Sequence, residues 1–232
     1  MILHVLERAL SAHNVGRAIV ATDDRRIRDA VLAAGFEAMM TRADHASGSD
    51  RLAEVAAALD GADVIVNLQG DEPLVSPRTI ERAVEELLKD DAAQVVTTSE
   101  IINDAADVLS PDVVKVVTDA SGRALYFSRS PVPFPRDAVR RHGTLEAALE
   151  AEPSLLASFR KHTGLYVYRR TFLLEYACWP QSALERAESL EQLRALERGA
   201  VIKVIEADSP SIGVDTEQDL ERVRKIFREV GG

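Results

Sequence analysis

Apolar residues along this chain follow two rhythms, and their alternation lays out the fold. Ile2, Leu3, Val5, Leu6, Ala9 and Leu10 recur at helical spacing, so 2–10 is predicted to be an amphipathic helix that fades at Ser11, Ala12, His13 and Asn14. A short strand is predicted over 17–21. Thr22, Asp23 and Asp24 then cap a helix through Ala33, which Gly35 closes, and 36–40 reads as another strand. An Ala-rich helix over 51–59 leads through Asp60 and Gly61 into Val64, Ile65, Val66, Asn67 and Leu68, an apolar run expected to be a strand buried on both faces. This β-α-β-α-β alternation predicts an α/β fold: a three-layer α/β/α arrangement around a mostly parallel sheet with helices on both faces.

The second half departs from the alternation. A helix is expected from Pro77 to about 89 and a Val- and Thr-rich strand over 94–101. Residues 113–118 and 124–128 flank the turn-forming Asp119, Ala120, Ser121 and Gly122, which predicts a hairpin forming a small subsheet. Pro131, Pro133 and Pro135 rule out regular structure, and the basic 136–142 followed by the acidic 146–152 reads as a mobile loop with a short helix. A strand over 161–168, helices over 170–177 and 184–198, a strand over 201–206 and a short extended piece over 212–215 follow. In the 184–198 helix Glu188, Glu191 and Gln192 can share one face. Thr216 caps a last helix through 228. The whole of 1–232 reads as one domain.

Composition narrows the function. Lys and Arg number 28 against 38 Asp and Glu, a formal charge of -10, which argues against nucleic acid as the main partner but permits an anionic ligand where basic side chains gather in a cleft. The single cysteine, Cys178, excludes an internal disulfide or a cysteine-rich metal site, and its neighbour Trp179 places it in the core. No apolar stretch is long enough to span a membrane and the N-terminus shows no signal pattern, so the cytoplasm is expected.

Two stretches carry candidate chemistry. Asp71 and Glu72 follow the 64–68 strand at Gly70, where the backbone turns, and open α/β sheets bind ligands at the carboxyl ends of their strands. An acidic pair there suits Mg²⁺; taken alone, Asp71, Glu72 and Pro73 read first as a polar turn before a helix, and partners elsewhere in the chain decide between the two. The polar segment 41–51 holds Arg42 and Arg51, and Ser47, Gly48, Ser49 and Asp50 at a helix start can offer N–H groups to anionic atoms. Capping alone also accounts for Ser49 and Asp50, and either arginine alone fits a surface charge.

Six motifs in this order, Arg42-Ala43-Asp44-His45-Ala46-Ser47-Gly48-Ser49-Asp50-Arg51, Asn67-Leu68-Gln69-Gly70-Asp71-Glu72-Pro73, Leu125-Tyr126-Phe127-Ser128-Arg129, His162-Thr163-Gly164-Leu165-Tyr166, Leu190-Glu191-Gln192-Leu193-Arg194 and Gly213-Val214-Asp215-Thr216, closely resemble the 3-deoxy-manno-octulosonate cytidylyltransferase (CMP-Kdo synthetase) family. The resemblance spans essentially the whole chain. It implies a nucleotidyltransferase-like, Rossmann-like fold and transfer of CMP from CTP to the anomeric hydroxyl of the sugar acid Kdo, with release of pyrophosphate, for lipopolysaccharide biosynthesis. It assigns Asp71 and Asp215 to Mg²⁺ and catalysis. Gln69, Arg129, His162, Tyr166, Glu191 and Gln192 fall to the sugar, and Arg42, Ser47, Gly48 and Arg51 to the nucleotide. No dedicated side-chain base is evident, and His162 is expected to make a polar contact in the sugar pocket. A homodimer is also implied, built partly on the 113–128 hairpin with Val116, Leu125 and Phe127 presented. The alternatives are a cytidylyltransferase for another sugar acid, such as 8-amino-Kdo or a sialic acid, and an inactive remnant serving as a binding or dimerisation module.

One departure stands out. The family pattern begins with a strand and a basic, Pro-containing triphosphate loop ahead of the helix that corresponds to 2–10, and this sequence opens inside that helix. The resemblance places such a strand between 17–21 and 63–68, so an apolar slot bordered by two strands with unpaired backbone groups is expected there.

Overall fold

The computed structural model describes residues 1–230 apart from Ala46, Ser211 and Asp215, and the side chains of these residues except Glu229 and Val230. Packing divides the chain into two compact units: Met1–Asp90 with Leu165–Trp179 and Ala207–Gly232, and Asp91–Gly164 with Pro180–Glu206.

In the first unit, α1 (Ile2–Ser11) turns Val5, Leu6 and Ala9 inward, as its spacing predicts. After β1 (Ile19–Thr22), Asp24 caps α2 (Arg25–Ala33) by accepting from the Arg26 N–H at 2.7 Å. β2 (Glu37–Met40) pairs parallel with β1, from Ile19 opposite Glu37 to Thr22 opposite Met40. Leu6, Val20 and Val31 form a small core on which Ile2, Leu3, Ala18, Phe36 and Ala38 pack, so α1 is held by apolar contact with the β1–α2 unit. α3 (Gly48–Ala57), β3 (Val64–Asn67) and α4 (Pro77–Lys89) follow. Ser76 caps α4, and Pro77 sits in its first turn, where no N–H is needed.

Among the described residues β1 pairs only with β2, and β3 pairs with no strand of the β1–β2 sheet. Both border a cavity of about 770 Å³, walled by Val5, Leu6, Val55, Ile65, Ile80 and Val84 among others. It lies where the sequence reading places an apolar slot.

The second unit opens with β4 (Val95–Ile101) and α5 (Ala105–Leu109), and then forms the predicted hairpin: β5 (Lys115–Thr118) antiparallel to β6 (Ala124–Ser128). Asp119 Oδ1 accepts from the N–H groups of Ser121 and Arg123, at 2.8 and 2.9 Å, and Gly122 takes φ 81°, which closes the turn. Helices α6 (Arg136–His142) and α7 (Leu145–Ala151) and a 3₁₀ turn, Pro153–Ser158, lead into β7 (Arg160–Arg169). The first half of β7 runs in the strand order β6-β5-β7-β4. Its second half belongs to the first unit and pairs antiparallel with β3, Val64 opposite Arg169 and Asn67 opposite Tyr166. α8 (Arg170–Ala177) stays in the first unit, whereas α9 (Ala183–Glu188), α10 (Gln192–Glu197) and β8 (Ile202–Glu206) return to the second, where β8 pairs parallel with β4. In α11 (Glu217–Val230), the Asp219 N–H donates to Thr216 Oγ1 at 3.2 Å and the Thr216 N–H to Asp219 Oδ2 at 3.0 Å, the expected cap.

The α/β architecture is the predicted one, and the pairing within it is mixed: parallel at β1–β2 and β4–β8, antiparallel at β3–β7, β5–β6 and β5–β7. Several local expectations are corrected. Residues 136–151 are two helices rather than a mobile loop with one, because Thr144 caps α7 and Glu152 holds Arg141 at 2.7 Å and His142 at 2.8 Å. The 184–198 stretch is broken at Ser189, which takes φ 53°, so Glu188 ends one helix and Gln192 begins another. Cys178 is exposed, since α8 turns Phe172, Leu173 and Tyr176 inward and leaves position 178 outside that face. On the hairpin, Val116 and Phe127 are buried and only Leu125, at 63% exposure, is presented: the ladder passes from Tyr126 opposite Val117 to Ala124 opposite Thr118, so a bulge at Leu125 breaks the alternation that would put it on the face of Phe127, which packs on His162.

Candidate active site

The sequence-predicted residues fall into two groups, one in each unit. In the first, Ser47 caps α3, its Oγ accepting from the Asp50 N–H at 3.2 Å. Gly48 and Arg51, one turn apart on that helix start, line the cavity together with Gln69 from the end of β3. Arg51 donates to Thr41 Oγ1 and lies 3.2 Å from Asp23, which fixes its guanidinium at the rim. Arg42 is more exposed, 3.5 Å from Asp44, and its N–H donates to Glu54 at 3.3 Å. Two of the nucleotide-side residues, Gly48 and Arg51, thus share one cavity wall with Gln69, while Arg42 stands on the outer surface of the same loop. At Gly70 a Cβ would meet Ile2 Cδ1 at 3.3 Å, so the missing side chain lets α1 pack close to the strand end as well as letting the chain turn.

Asp71 follows. Its main-chain carbonyl accepts from the Val214 N–H at 3.0 Å, which ties the end of β3 to the piece before α11. Asp215 lies outside the described residues, and among those described no group of three His, Cys, Asp or Glu is gathered as a metal cluster. Tyr166 stands opposite Asn67 in the β3–β7 ladder and stacks on Tyr168, ring centroids 5.8 Å apart.

In the second unit three motifs converge. The His162 ring meets Phe127 edge-on at 5.0 Å, and its Nε2 is 2.9 Å from Thr97 Oγ1. Burial pushes the imidazole down to about 3, so His162 is neutral at physiological pH and acts as a hydrogen-bonding group rather than a cation. Phe127 lies on the strand that ends next to Arg129, whose guanidinium donates to the carbonyls of Glu188 at 2.7 Å, Pro111 at 2.9 Å and Ser189 at 3.4 Å. Those bonds stitch β6 to the 188–192 turn that carries Glu191 and Gln192. Gln192 is buried, and Glu191 is half-buried rather than on a solvated face. Arg194 and Glu185 form a buried ion pair at 3.1 Å that fixes α9 against α10.

Sequence reasoning missed Glu188 and Lys115. The Glu188 carboxylate accepts from the Ser128 hydroxyl at 2.7 Å and the Arg129 N–H at 2.9 Å. Lys115 is fully buried and donates from Nζ to the carbonyls of Ser110 at 2.8 Å and Val113 at 2.6 Å; burial pushes its ammonium down. Its signal in the sequence was slight: one lysine beginning an otherwise apolar strand.

Residues 1–205 match the family model described as cytidylyltransferase. The chain is 52% identical, over 99% of its own length and 88% of the relative's, to the 3-deoxy-manno-octulosonate cytidylyltransferase of Trichlorobacter lovleyi, and 53% identical, over 99% and 89%, to that of Geotalea uraniireducens. It superposes with TM-score 0.86 and 43% identity, over 98% of this chain and 87% of the other, on a structure of CMP:2-keto-3-deoxy-manno-octonic acid synthetase complexed with CTP. A nucleotidyl transferase from Methanothermobacter, 18% identical with TM-score 0.60 over 99% of this chain and 81% of its own, shares the Rossmann-like fold alone. With its six motifs placed on this frame, and with identity to these relatives over nearly its whole length, the chain belongs to the cytidylyltransferase family and is a nucleotidyltransferase.

Proposed function

We propose that the protein transfers CMP from CTP to the anomeric hydroxyl of Kdo, releasing pyrophosphate, in the cytoplasmic phase of lipopolysaccharide assembly. The observation that carries this is the identity of about half of all positions, across 99% of the chain, with proteins named for that transfer. The geometry supports it. Arg129 uses three guanidinium N–H groups on backbone carbonyls and keeps one on each Nη, a pair matched to a carboxylate such as that of a sugar acid. Neutral His162 and the amide of Gln192 supply hydrogen bonds for hydroxyls, and Glu191 accepts from them. On the nucleotide side, Arg51 and the N-terminus of α3 face the cavity with positive charge suited to phosphates.

In the displacement, the sugar hydroxyl oxygen bonds to the α-phosphorus, the bond to the bridging oxygen of pyrophosphate breaks, and the hydroxyl proton passes to solvent. With its imidazole held near 3, His162 is too weak a base to take that proton at neutral pH, which favours a positioning role. The hard carboxylate of Asp71, at a strand end and tied through its main chain to Val214, fits a Mg²⁺ site completed by Asp215. When bound, Mg²⁺ neutralises phosphate charge and holds both carboxylates ionised.

Glu191→Gln or His162→Ala should raise KM for Kdo about tenfold or more while leaving KM for CTP within about twofold, since one lost polar contact in a buried site is of that size. Pyrophosphate release measured against Kdo, 8-amino-Kdo and sialic acid reads both this and the acceptor. Equal loss for the two substrates would remove these residues from the sugar side, and preference for another acid would replace Kdo.

The proposal includes a homodimer. Its support is the exposure of two large apolar side chains in the second unit, Leu125 on the hairpin, at 63%, and Phe134 in the loop after it, at 59%. Leu125→Asp should then shift the protein towards monomer in light scattering at micromolar concentration; an unchanged mass would move the interface elsewhere.

A further inference from the structure

We propose that Glu188 is a positioning residue for the sugar-binding arginine: it locks Arg129 so that the outer N–H groups of the guanidinium are presented as a planar pair. The inference rests on the reading above that Arg129 receives the sugar-acid carboxylate.

Arg129 follows directly on β6, and an arginine side chain left to itself distributes over many rotamers, an entropy that a ligand would have to remove. Glu188 removes it in advance through two separate contacts. Its carboxylate takes the main chain: Oε2 accepts from the Arg129 N–H at 2.9 Å, and Oε1 accepts from the Ser128 hydroxyl at 2.7 Å and from the Tyr126 hydroxyl at 3.4 Å. Its own carbonyl takes the side chain, accepting from Arg129 Nε at 2.7 Å. Ser189 adopts φ 53°, the left-handed region, and its carbonyl also accepts from the guanidinium, at Nη2. The break between α9 and α10 therefore has a use: a continuous helix would direct carbonyls 188 and 189 along its own axis.

The protonation state is fixed by the same contacts. The Ser130 N–H donates to Ser128 Oγ at 3.0 Å, which directs the Ser128 hydroxyl proton at Glu188. The Arg129 N–H can only donate and the two hydroxyls are placed to donate, so an ionised acid accepts from all three, whereas an amide keeps the Arg129 bond only by turning its NH2 to the hydroxyls, which must then accept. Burial pushes the Glu188 carboxyl up, but these donors and the charge of Arg129 hold it below the usual carboxylate range. On the opposite side, Lys115 ties down the carbonyls of Ser110 and Val113, on either side of the Pro111 carbonyl that receives Arg129 Nη1. Both walls of the arginine's seat are thus fixed before any ligand arrives, the arrangement in which a two-point contact is strongest.

The test is equilibrium binding of Kdo and of CTP by calorimetry to the full chain and to Glu188→Ala, Glu188→Gln, Arg129→Ala and the Glu188→Ala/Arg129→Ala pair. Glu188→Ala should weaken Kdo about tenfold and CTP less than twofold, Glu188→Gln should fall between it and the parent, and the double variant should bind Kdo no worse than Arg129→Ala alone, because a residue that acts through Arg129 has nothing left to position. Additive losses in the double variant, or equal weakening of Kdo and CTP, would overturn the proposal in favour of a general structural role. If Arg129→Ala weakens Kdo while Glu188→Ala does not, the inference fails and the sugar site stands. If Arg129→Ala leaves Kdo binding intact, the sugar-side reading of Arg129 is wrong and the inference falls with it. Should Glu188→Ala not fold, Glu188→Gln and Ser128→Ala, each removing part of the same contact set, carry the comparison.

Discussion

In the chain extended by a β-forming segment ahead of Met1, Asp71→Asn should lower kcat by about two to three orders of magnitude while shifting the melting temperature by no more than about 2 °C. The two halves of that expectation come from different atoms of one residue. What Asp71 contributes to the fold runs through its main-chain carbonyl, which accepts the Val214 N–H at 3.0 Å, and asparagine has the same carbonyl. What it would contribute to chemistry in the proposed Mg²⁺ site runs through the carboxylate of a half-buried residue just after β3. Asparagine is nearly isosteric but neutral, and a hard divalent cation loses an anionic ligand for which an amide oxygen is a poor replacement. The deficit should shrink as Mg²⁺ is raised, and Asp215→Asn should give the same phenotype. A kcat within a few-fold of the parent at ordinary Mg²⁺, read by pyrophosphate release, would take Asp71 out of the metal site.

How far such residues can be read from sequence depends on whether their surroundings are local. The β3 strand was legible because Val64, Ile65 and Val66 form an uninterrupted apolar run closed by a glycine, and the β5–β6 turn because Asp119 and Gly122 do their work within four residues of chain. The first helix, the cap at Thr216 and the Asp71 turn were legible for the same reason. The break at Ser189 was not: a non-glycine residue at φ 53° is held there by Arg129, which lies 60 positions away. Because that break was invisible, Glu188 read as a third member of one helix face instead of the partner of β6. Lys115 passed unmarked within the 113–118 strand, since only the folded chain shows the two carbonyls that allow its ammonium to be buried. Residues 136–151 were misread because the basic and acidic blocks were taken for a loop while Thr144, a local cap, was there to be seen. Strand direction failed for a plainer reason: composition fixes which residues enter a sheet, and topology fixes which way they run.

The largest effect on stability is expected at the cavity between β1 and β3. A space of about 770 Å³ lined by core side chains is far larger than the water-sized voids that a packed interior tolerates. It cannot remain dry and open. Water would satisfy the backbone groups that β1 and β3 turn towards it, but the walls also include Val5, Leu6, Val55, Ile65, Ile80 and Val84, and wetting those residues forfeits the burial that holds α1 and α4 in place. An extended apolar segment resolves both conflicts at once. It pairs with two strands of four residues each and covers the apolar walls, and at about 3.3 Å per residue a piece of five or six residues matches their length. The 232-residue chain alone is therefore expected to melt early, to bind an apolar reporter dye and to show little turnover, because Gly48, Arg51 and Gln69 border the same cavity and lose their fixed positions with it. Joining a β-forming apolar segment ahead of Met1, next to Ile2 on the cavity wall, should raise the melting temperature by about 10 °C or more, abolish dye binding and increase pyrophosphate release at least tenfold. A 232-residue chain that already melts as late, excludes the dye and turns over as fast as the extended one would show that the slot closes by itself and that the nucleotide side is complete without a strand between β1 and β3.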